Sequence, residues 1–299
     1  MRSYWTGWML AGTAALAIVA LTPGPAMGQQ APQPDTGLGG PPRAGLGRGR
    51  GARPPAGPTP RLPENPLLGV NSGKPDLGGK GMWQVPYIID MQKQGCTLGD
   101  QKCYDTAGRQ HTTPVEVPFN AAAQKIFDQR TENNSKDDPE GFCLPPGVPR
   151  MMYTPYPTQI YQLADRVLFI YEGGAHVWRL IWMDGRKHPA DPNPTFLGDA
   201  IGHWEGDTLV VDTVGFNSET WLDAAGHPHG EKLHVIERYT RSDSNTLRVE
   251  ATIEDPDYYT KPWTDVTFAT WAPGQELLEY ICQENNIDLV HVNAPAQLP

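Results

Sequence analysis

Hydrophobic and polar residues alternate along the C-terminal half of the chain, and this alternation predicts a protein built mainly from β-strands. In residues 246–253 every second position is apolar and the positions between carry Thr, Arg or Glu. This period of two is typical of a strand with one buried face. Strands are predicted at residues 166–171, 176–183, 201–205, 208–213, 234–241, 246–253, 264–271 and 276–282.

The order of these segments favours an antiparallel meander. Short turns join them, among them Gly206-Asp207, which suits a tight hairpin. No long helical pattern separates them, so a parallel sheet is not expected. About eight antiparallel strands protect their edges either by closing as a lipocalin-like barrel or by folding into a β-sandwich. The barrel is the favoured interpretation, and such a barrel can hold one small ligand.

The chain before the predicted sheet divides into three parts. Arg2, an apolar run at residues 9–21 and small residues at the end predict a signal peptide over residues 1–28. Residues 29–80 are crowded with Pro and Gly and are predicted to be disordered. Residues 81–299 are expected to form a single β-rich domain, beginning with an irregular segment. That segment has one short helix at residues 121–130, with Asn120 as its N-cap.

These features predict a periplasmic or extracellular protein. The apolar run is short for a membrane span and no second one follows, so no integral membrane segment is expected in the mature chain. The formal net charge of −10 disfavours nucleic acid and anionic surfaces as partners. A small-molecule ligand or substrate is the expected partner, and the sequence indicates no oligomeric state. Gly-rich nucleotide-binding motifs and Gly-x-Ser-x-Gly do not occur in it, so no cofactor is expected.

The four cysteines predict disulfides, because an even number in an exported chain commonly pairs. Four cysteines allow three pairings. The favoured pairs are Cys96–Cys103, which closes a short loop, and Cys143–Cys282, which ties the start of the domain to its end. Free buried thiols are the alternative. A four-cysteine zinc site is not expected, because Cys-x-x-Cys does not occur.

The segment between the strands at 208–213 and 234–241 contains most of the candidate chemistry. Long loops in compact domains commonly bind or cover ligands, and histidine suits both proton transfer and metal binding. Three interpretations stay open: metal-free acid–base chemistry, a metal site, or a solvated loop. The candidate metal ligands are His227, His229, Glu231 and His234, although Pro228 disturbs their spacing.

The neighbouring strands add further candidates. His234 and Arg238 share one face of their strand and would form a polar floor if that face turned inward. Arg238 could then stabilise a developing negative charge, and a structural pair with Glu is the alternative. His176 shares a face with Trp178 and Trp182, which could line a ligand cavity, although a core histidine is the more common arrangement.

Several runs resemble those of a family of exported bacterial proteins that has no established activity. They are GHWEGDTLVVDT at 202–213, GFN at 215–217, TWLD at 220–223, PH at 228–229 and LHVIERY at 233–239. The resemblance extends over residues 75–291. It implies one exported domain and carries no reaction with it. The chain departs from the family pattern at Gly230, where Ser is usual.

The leading hypothesis is an exported lyase-like or isomerase-like enzyme that performs elimination, hydration or isomerisation in the barrel cavity without a metal. His229 or His234 would be the base, and Asp223 or Glu237 would set its tautomer. Arg238 or His176 would stabilise negative charge. The predicted ligand contacts are Trp178, Trp182, Trp221, Asn217 and Tyr239. The alternatives are a non-catalytic ligand-binding barrel and a His-ligated metal enzyme.

Overall fold

The computed structural model describes residues 55–100, 114–174 and 177–284. The predicted signal peptide, residues 29–54, Cys103 and His176 lie outside the described residues. All described residues belong to one compact unit, which includes residues 55–80 ahead of the predicted domain boundary at residue 81. Among the described helices, none combines the length and the apolar character that crossing a bilayer requires.

Nine strands form a closed barrel. In chain order they are β1 (Gly81–Gln84), β2 (Thr158–Gln162), β3 (Arg166–Tyr171), β4 (Trp178–Trp182), β5 (Asp199–Glu205), β6 (Thr208–Val214), β7 (His234–Asp243), β8 (Thr246–Glu254) and β9 (Trp263–Pro273). Each strand pairs with its neighbours in sequence, and β1 closes the barrel by pairing with β9. The predicted barrel is therefore confirmed.

The strand pairings are antiparallel except between β4 and β5, which meet in parallel at Trp182 and Ile201. The connection 183–198 joins two strands that run in the same direction, so the meander is interrupted here. The predicted strands are present with bounds shifted by no more than two residues, except the last. Residues 276–282 form no strand because β1 occupies the free edge of β9.

Two α-helices in the described part of the chain precede the barrel strands β2 to β9. The predicted helix is confirmed as α2, which spans Ala121–Glu132 and is capped by Asn120, whose Oδ1 accepts from Ala123 N at 2.9 Å. A shorter helix, α1, spans Met91–Gln94 and was not predicted; its N-cap is Asp90. Both lie in the irregular segment that the sequence placed before the sheet.

The end of the Pro/Gly-rich segment packs against the barrel, which corrects the prediction of disorder for this part. Leu77 is fully buried, and Trp83 Nε1 donates to its carbonyl at 2.7 Å. Buried Asn71 accepts a hydrogen bond from Trp204 Nε1 at 2.9 Å. Hydrogen bonds to the barrel thus provide partners for the polar groups of a segment that has little apolar surface of its own.

Side chains fill the barrel interior. Phe169, Leu209, Tyr239 and Val249 are buried there with almost no exposed surface. The ligand cavity expected inside the barrel is therefore occupied by packed side chains, as in barrels of similar strand number whose interiors are just wide enough to be filled. A second core, under α1, contains Leu222, Val235 and Ile253.

A disulfide joins Cys143 to Cys282, with Cα atoms 5.6 Å apart, and confirms that predicted pair. It fixes the segment after β9 to the segment before β2. Cys96 is also disulfide-bonded, but Cys103, its predicted partner, lies outside the described residues.

Candidate functional site

The alternation along β7 is oriented opposite to the prediction. Val235, Glu237 and Tyr239 are buried, whereas His234 and Arg238 lie on the outer face of the barrel. The polar floor predicted for the interior is therefore wrong. Arg238 Nη2 instead donates to Glu205 Oε2 at 2.8 Å, which is the structural pairing that the sequence left as an alternative.

Arg179, Glu237, Thr213 and Tyr239 form one connected group of polar contacts inside the barrel. Arg179 Nη1 lies 2.5 Å from Glu237 Oε2, and Arg179 Nη2 donates to Thr213 Oγ1 at 2.6 Å. Tyr239, a predicted ligand contact, donates from its hydroxyl to Glu237 Oε1 at 2.7 Å. Burial lowers the pKa of Arg179, but the Glu237 carboxylate outweighs this effect and holds it above its usual range.

The three tryptophans predicted as ligand contacts lie in separate surroundings. Trp178 is 61% exposed on the outer face of β4. Trp182 also points outward and has the guanidinium of Arg186 3.6 Å from its ring centre. Trp221 is buried, with Arg130 over its ring at 4.4 Å. They cannot line one cavity, and His176 lies outside the described residues.

His229 is buried and satisfied at both ring nitrogens. Nε2 lies 2.7 Å from Thr220 Oγ1, and Nδ1 lies 3.2 Å from the carbonyl oxygen of Gly230. Burial lowers the pKa of His229 to about 4, so the ring is neutral near pH 7. A neutral ring then donates from Nδ1 to Gly230 and accepts from the Thr220 hydroxyl.

The predicted metal ligands are divided among different places. His227 is fully buried with Asp223, and its Nδ1 lies 2.7 Å from Asp223 Oδ2. Burial raises the pKa of Asp223, but His227 and backbone hydrogen bonds outweigh burial and leave it below its usual value. Glu231 is exposed, and His234 lies on the outer face. Asp223 therefore pairs with His227 rather than with either predicted base.

A connected group of histidines and carboxylates lies on the outer face of the barrel, and we call it the outer histidine network. His234 Nε2 is 2.8 Å from Asp212 Oδ1, and His188 Nε2 is 3.2 Å from the same oxygen. His234 Nδ1 is 3.2 Å from Glu254 Oε2, and His188 Nδ1 is 2.7 Å from Asp199 Oδ1. Each imidazole thus lies between two carboxylates.

Four elements and one connection bring the network together. Asp199 begins β5, Asp212 is near the end of β6, His234 begins β7 and Glu254 ends β8. His188 comes from the connection 183–198. That connection is fixed to the loop after β6, because Asn217 N donates to the Thr195 carbonyl at 2.8 Å. Asn217, a predicted ligand contact, thus belongs to the support of the site, and its side chain caps Glu219 N at 3.2 Å.

The network is suited to holding and moving protons. A neutral imidazole has one N–H donor, whereas each ring faces an acceptor at both nitrogens. The carboxylates therefore give each ring a partner for its proton at either nitrogen. The side chains of His188 and His234 are 19% and 30% exposed, so solvent reaches both. Sequence reasoning found His234 and missed the other four residues.

No protein-family model, curated protein or solved structure matches this chain. The function must therefore be inferred from the contacts of the site itself.

Proposed function

We propose that this chain is an enzyme that transfers protons to and from a small organic molecule at the outer histidine network. The observation that carries the proposal is the placing of partly exposed His234 between Asp212 and Glu254. Elimination, hydration and isomerisation all include such a proton transfer. An oriented imidazole is the side chain most often used for it.

His234 is a better base than His229. A general base works best when its pKa is near the operating pH and when it reaches the substrate. His229 is buried and its pKa is lowered to about 4, so it meets neither condition. His234 is partly open to solvent and is held on both sides.

Asp212 and Glu254 have different roles in this proposal. Asp212 makes the shorter contact, 2.8 Å to Nε2, and would keep the proton on that nitrogen. Glu254 makes the longer contact, 3.2 Å to Nδ1, and its side chain is 40% exposed. A substrate can therefore take the place of Glu254 and exchange a proton with Nδ1. These two residues replace Asp223 and Glu237 as the groups that set the tautomer.

The compartment proposed for this reaction is the periplasm or the extracellular space. The Cys143–Cys282 disulfide supports an oxidising environment. The predicted signal peptide is consistent with export, and the acidic composition with a small-molecule rather than a nucleic-acid partner.

A purely ligand-binding role has less support. The barrel interior is filled, and two clefts of the described residues lie outside it, against α2. The cleft beside Trp221 and Arg130 has a volume of about 220 Å³, below the range of roughly 300–1,000 Å³ common for small-molecule pockets. The cleft beside Glu231 and Tyr258, about 440 Å³, lies within that range but contains none of the predicted ligand contacts.

Replacing His234 by Gln is expected to slow catalysed proton exchange about 100-fold or more, because the variant cannot accept a proton at this position. The measurement follows deuterium incorporation from D2O into a panel of small carbonyl and hydroxy compounds by proton NMR. Exchange into any member of the panel reports proton transfer, so the natural substrate need not be identified first.

The matched control is His203→Gln. His203 lies on the same face of the barrel and has a carboxylate, Glu205, 3.2 Å from Nε2, but it stands outside the network. The control should keep wild-type exchange. Wild-type protein that exchanges no faster than buffer on any compound, or a folded His234→Gln variant with full exchange, would contradict the proposal.

A further inference from the structure

We infer that Asp90, Asp223 and His227 form a binding site for one divalent transition-metal ion, which would join α1 to the loop between β6 and β7. One possible ligand atom from each residue lies within 4.8 Å of those from the other two. All three residues are buried. One imidazole and two carboxylates form a ligand set suited to Zn²⁺ and related ions.

The hydrogen bonds of the two carboxylates leave one oxygen of each available. Asp223 Oδ1 accepts from Gly226 N at 3.0 Å and His227 N at 3.2 Å, whereas Oδ2 accepts from a single backbone donor of the described chain, Met91 N at 2.7 Å. Since a carboxylate oxygen can accept two hydrogen bonds, Oδ2 of Asp223 keeps a second lone pair, which faces His227 Nδ1 at 2.7 Å and would be shared with an ion that binds both residues.

Asp90 follows the same pattern. Its Oδ1 caps α1 by accepting from Gln92 N and Lys93 N at 3.0 and 3.3 Å. Its Oδ2 has the ammonium of Lys93 at 2.9 Å, but that side chain is 76% exposed and can turn to water. Oδ2 of Asp90 can therefore ligate an ion without breaking the helix cap.

His227 gives the independent reason to expect a ligand. Its side chain has no exposed surface. Nδ1 faces Asp223 Oδ2 at 2.7 Å, and Nε2 makes no hydrogen bond to any described residue. Phe127 and Phe119 pack on the ring, with centroids 4.4 and 5.3 Å away. Buried polar groups are nearly always paired. An ion beside the carboxylates would give one ring nitrogen its missing partner.

The site would differ from the metal set predicted from the sequence, since only His227 is common to both. It is also separate from the outer histidine network, so the failure of one proposal leaves the other standing. The network contains imidazoles and carboxylates as well, and the experiment must therefore distinguish the two places.

The test refolds the full chain from denaturant in Zn²⁺ or in EDTA, because a buried site is loaded as the protein folds. One zinc per chain should remain after gel filtration. At zinc concentrations about a hundredfold above Kd, the Tm should rise by roughly 5–10 °C. Equal Tm values in zinc and in EDTA, with no retained metal, overturn the inference.

Asp90→Asn is the decisive variant, since Asn also caps helices well but offers no anionic ligand. It should weaken zinc binding by about 100-fold or more. Lys93→Met should strengthen binding, because it removes the ammonium that competes for Oδ2. His188→Gln, in the outer histidine network, should bind zinc as the wild type does. Zinc binding lost in His188→Gln and kept in Asp90→Asn overturns the assignment.

Discussion

Replacing Arg179 by Met is expected to lower the free energy of unfolding by about 3–5 kcal/mol, because the buried carboxylate of Glu237 would lose its counter-charge. Both side chains are almost completely buried inside the barrel. The carboxylate would keep the hydroxyl of Tyr239 as a donor at 2.7 Å, but a neutral hydrogen bond does not balance a charge in this apolar interior.

Urea unfolding, followed by circular dichroism and tryptophan fluorescence, measures this loss. The double variant Arg179→Met/Glu237→Gln should be more stable than Arg179→Met alone, because it leaves no isolated charge. Arg238→Met is the control: it breaks ion pairs with Glu205 and Glu250 on the outer face of the barrel and should cost clearly less stability than Arg179→Met. A loss in Arg179→Met no larger than in this control would contradict the expected role of the pair.

The same pair explains why the sequence predicts the strand β7 but not its orientation. Alternation separates His234 and Arg238 from Glu237 and Tyr239, and both sets contain ionisable groups. Which set faces inward depends on Arg179, which comes from β4 and supplies the charge that lets Glu237 be buried. Local periodicity does not contain that information, because a shift of one residue in the pairing would turn every side chain of the strand to the other face of the sheet.

The outer histidine network was predictable only in part for a related reason. His234 is found because it begins a strongly alternating strand. Asp212 lies in an apolar run, and its outward direction follows once β6 is paired with β7, where Asp212 meets Ile236. His188 comes from a connection without periodicity, so its place depends on tertiary contacts. Outward polar residues on neighbouring strands are therefore the signal that could have indicated part of this site.

Short elements are difficult to predict from sequence patterns. β1 has four residues, too few to show alternation, yet it closes the barrel by pairing with β9. Residues 276–282 show a clearer strand pattern, but β1 already pairs with the edge of β9 that they would need. The competition for one edge decides between them, and it can be judged only when the whole sheet is known.

Replacing Asp265 by Asn is expected to stabilise the protein increasingly as pH rises from about 4 to 8, by as much as about 4 kcal/mol relative to wild type. Asp265 is fully buried. Burial raises the pKa of Asp265 to about 7, against the opposing hydrogen bonds from Cys96 N and the side chain of Tyr153.

The direction of this change in stability with pH follows from the number of protons bound by the folded and unfolded states. In the unfolded chain this carboxyl releases its proton near pH 4, whereas the folded protein holds it until about pH 7. Between these values the folded state binds more protons, so wild-type stability contributed by Asp265 is full below pH 4 and is lost as pH rises through 7. Asn does not ionise, and it can still accept the hydrogen bond from Cys96 N.

Urea unfolding of both proteins at pH 4 to 8, in buffer with a chelator, gives the difference in stability at each pH. His229 has its pKa lowered to about 4, so its own contribution rises with pH over about pH 4–6.5 and cancels in that difference. His229→Gln should remove this opposite trend, which makes it a useful comparison. A difference between Asp265→Asn and wild type that stays constant over the whole range would show that the carboxyl does not hold its proton in the folded state.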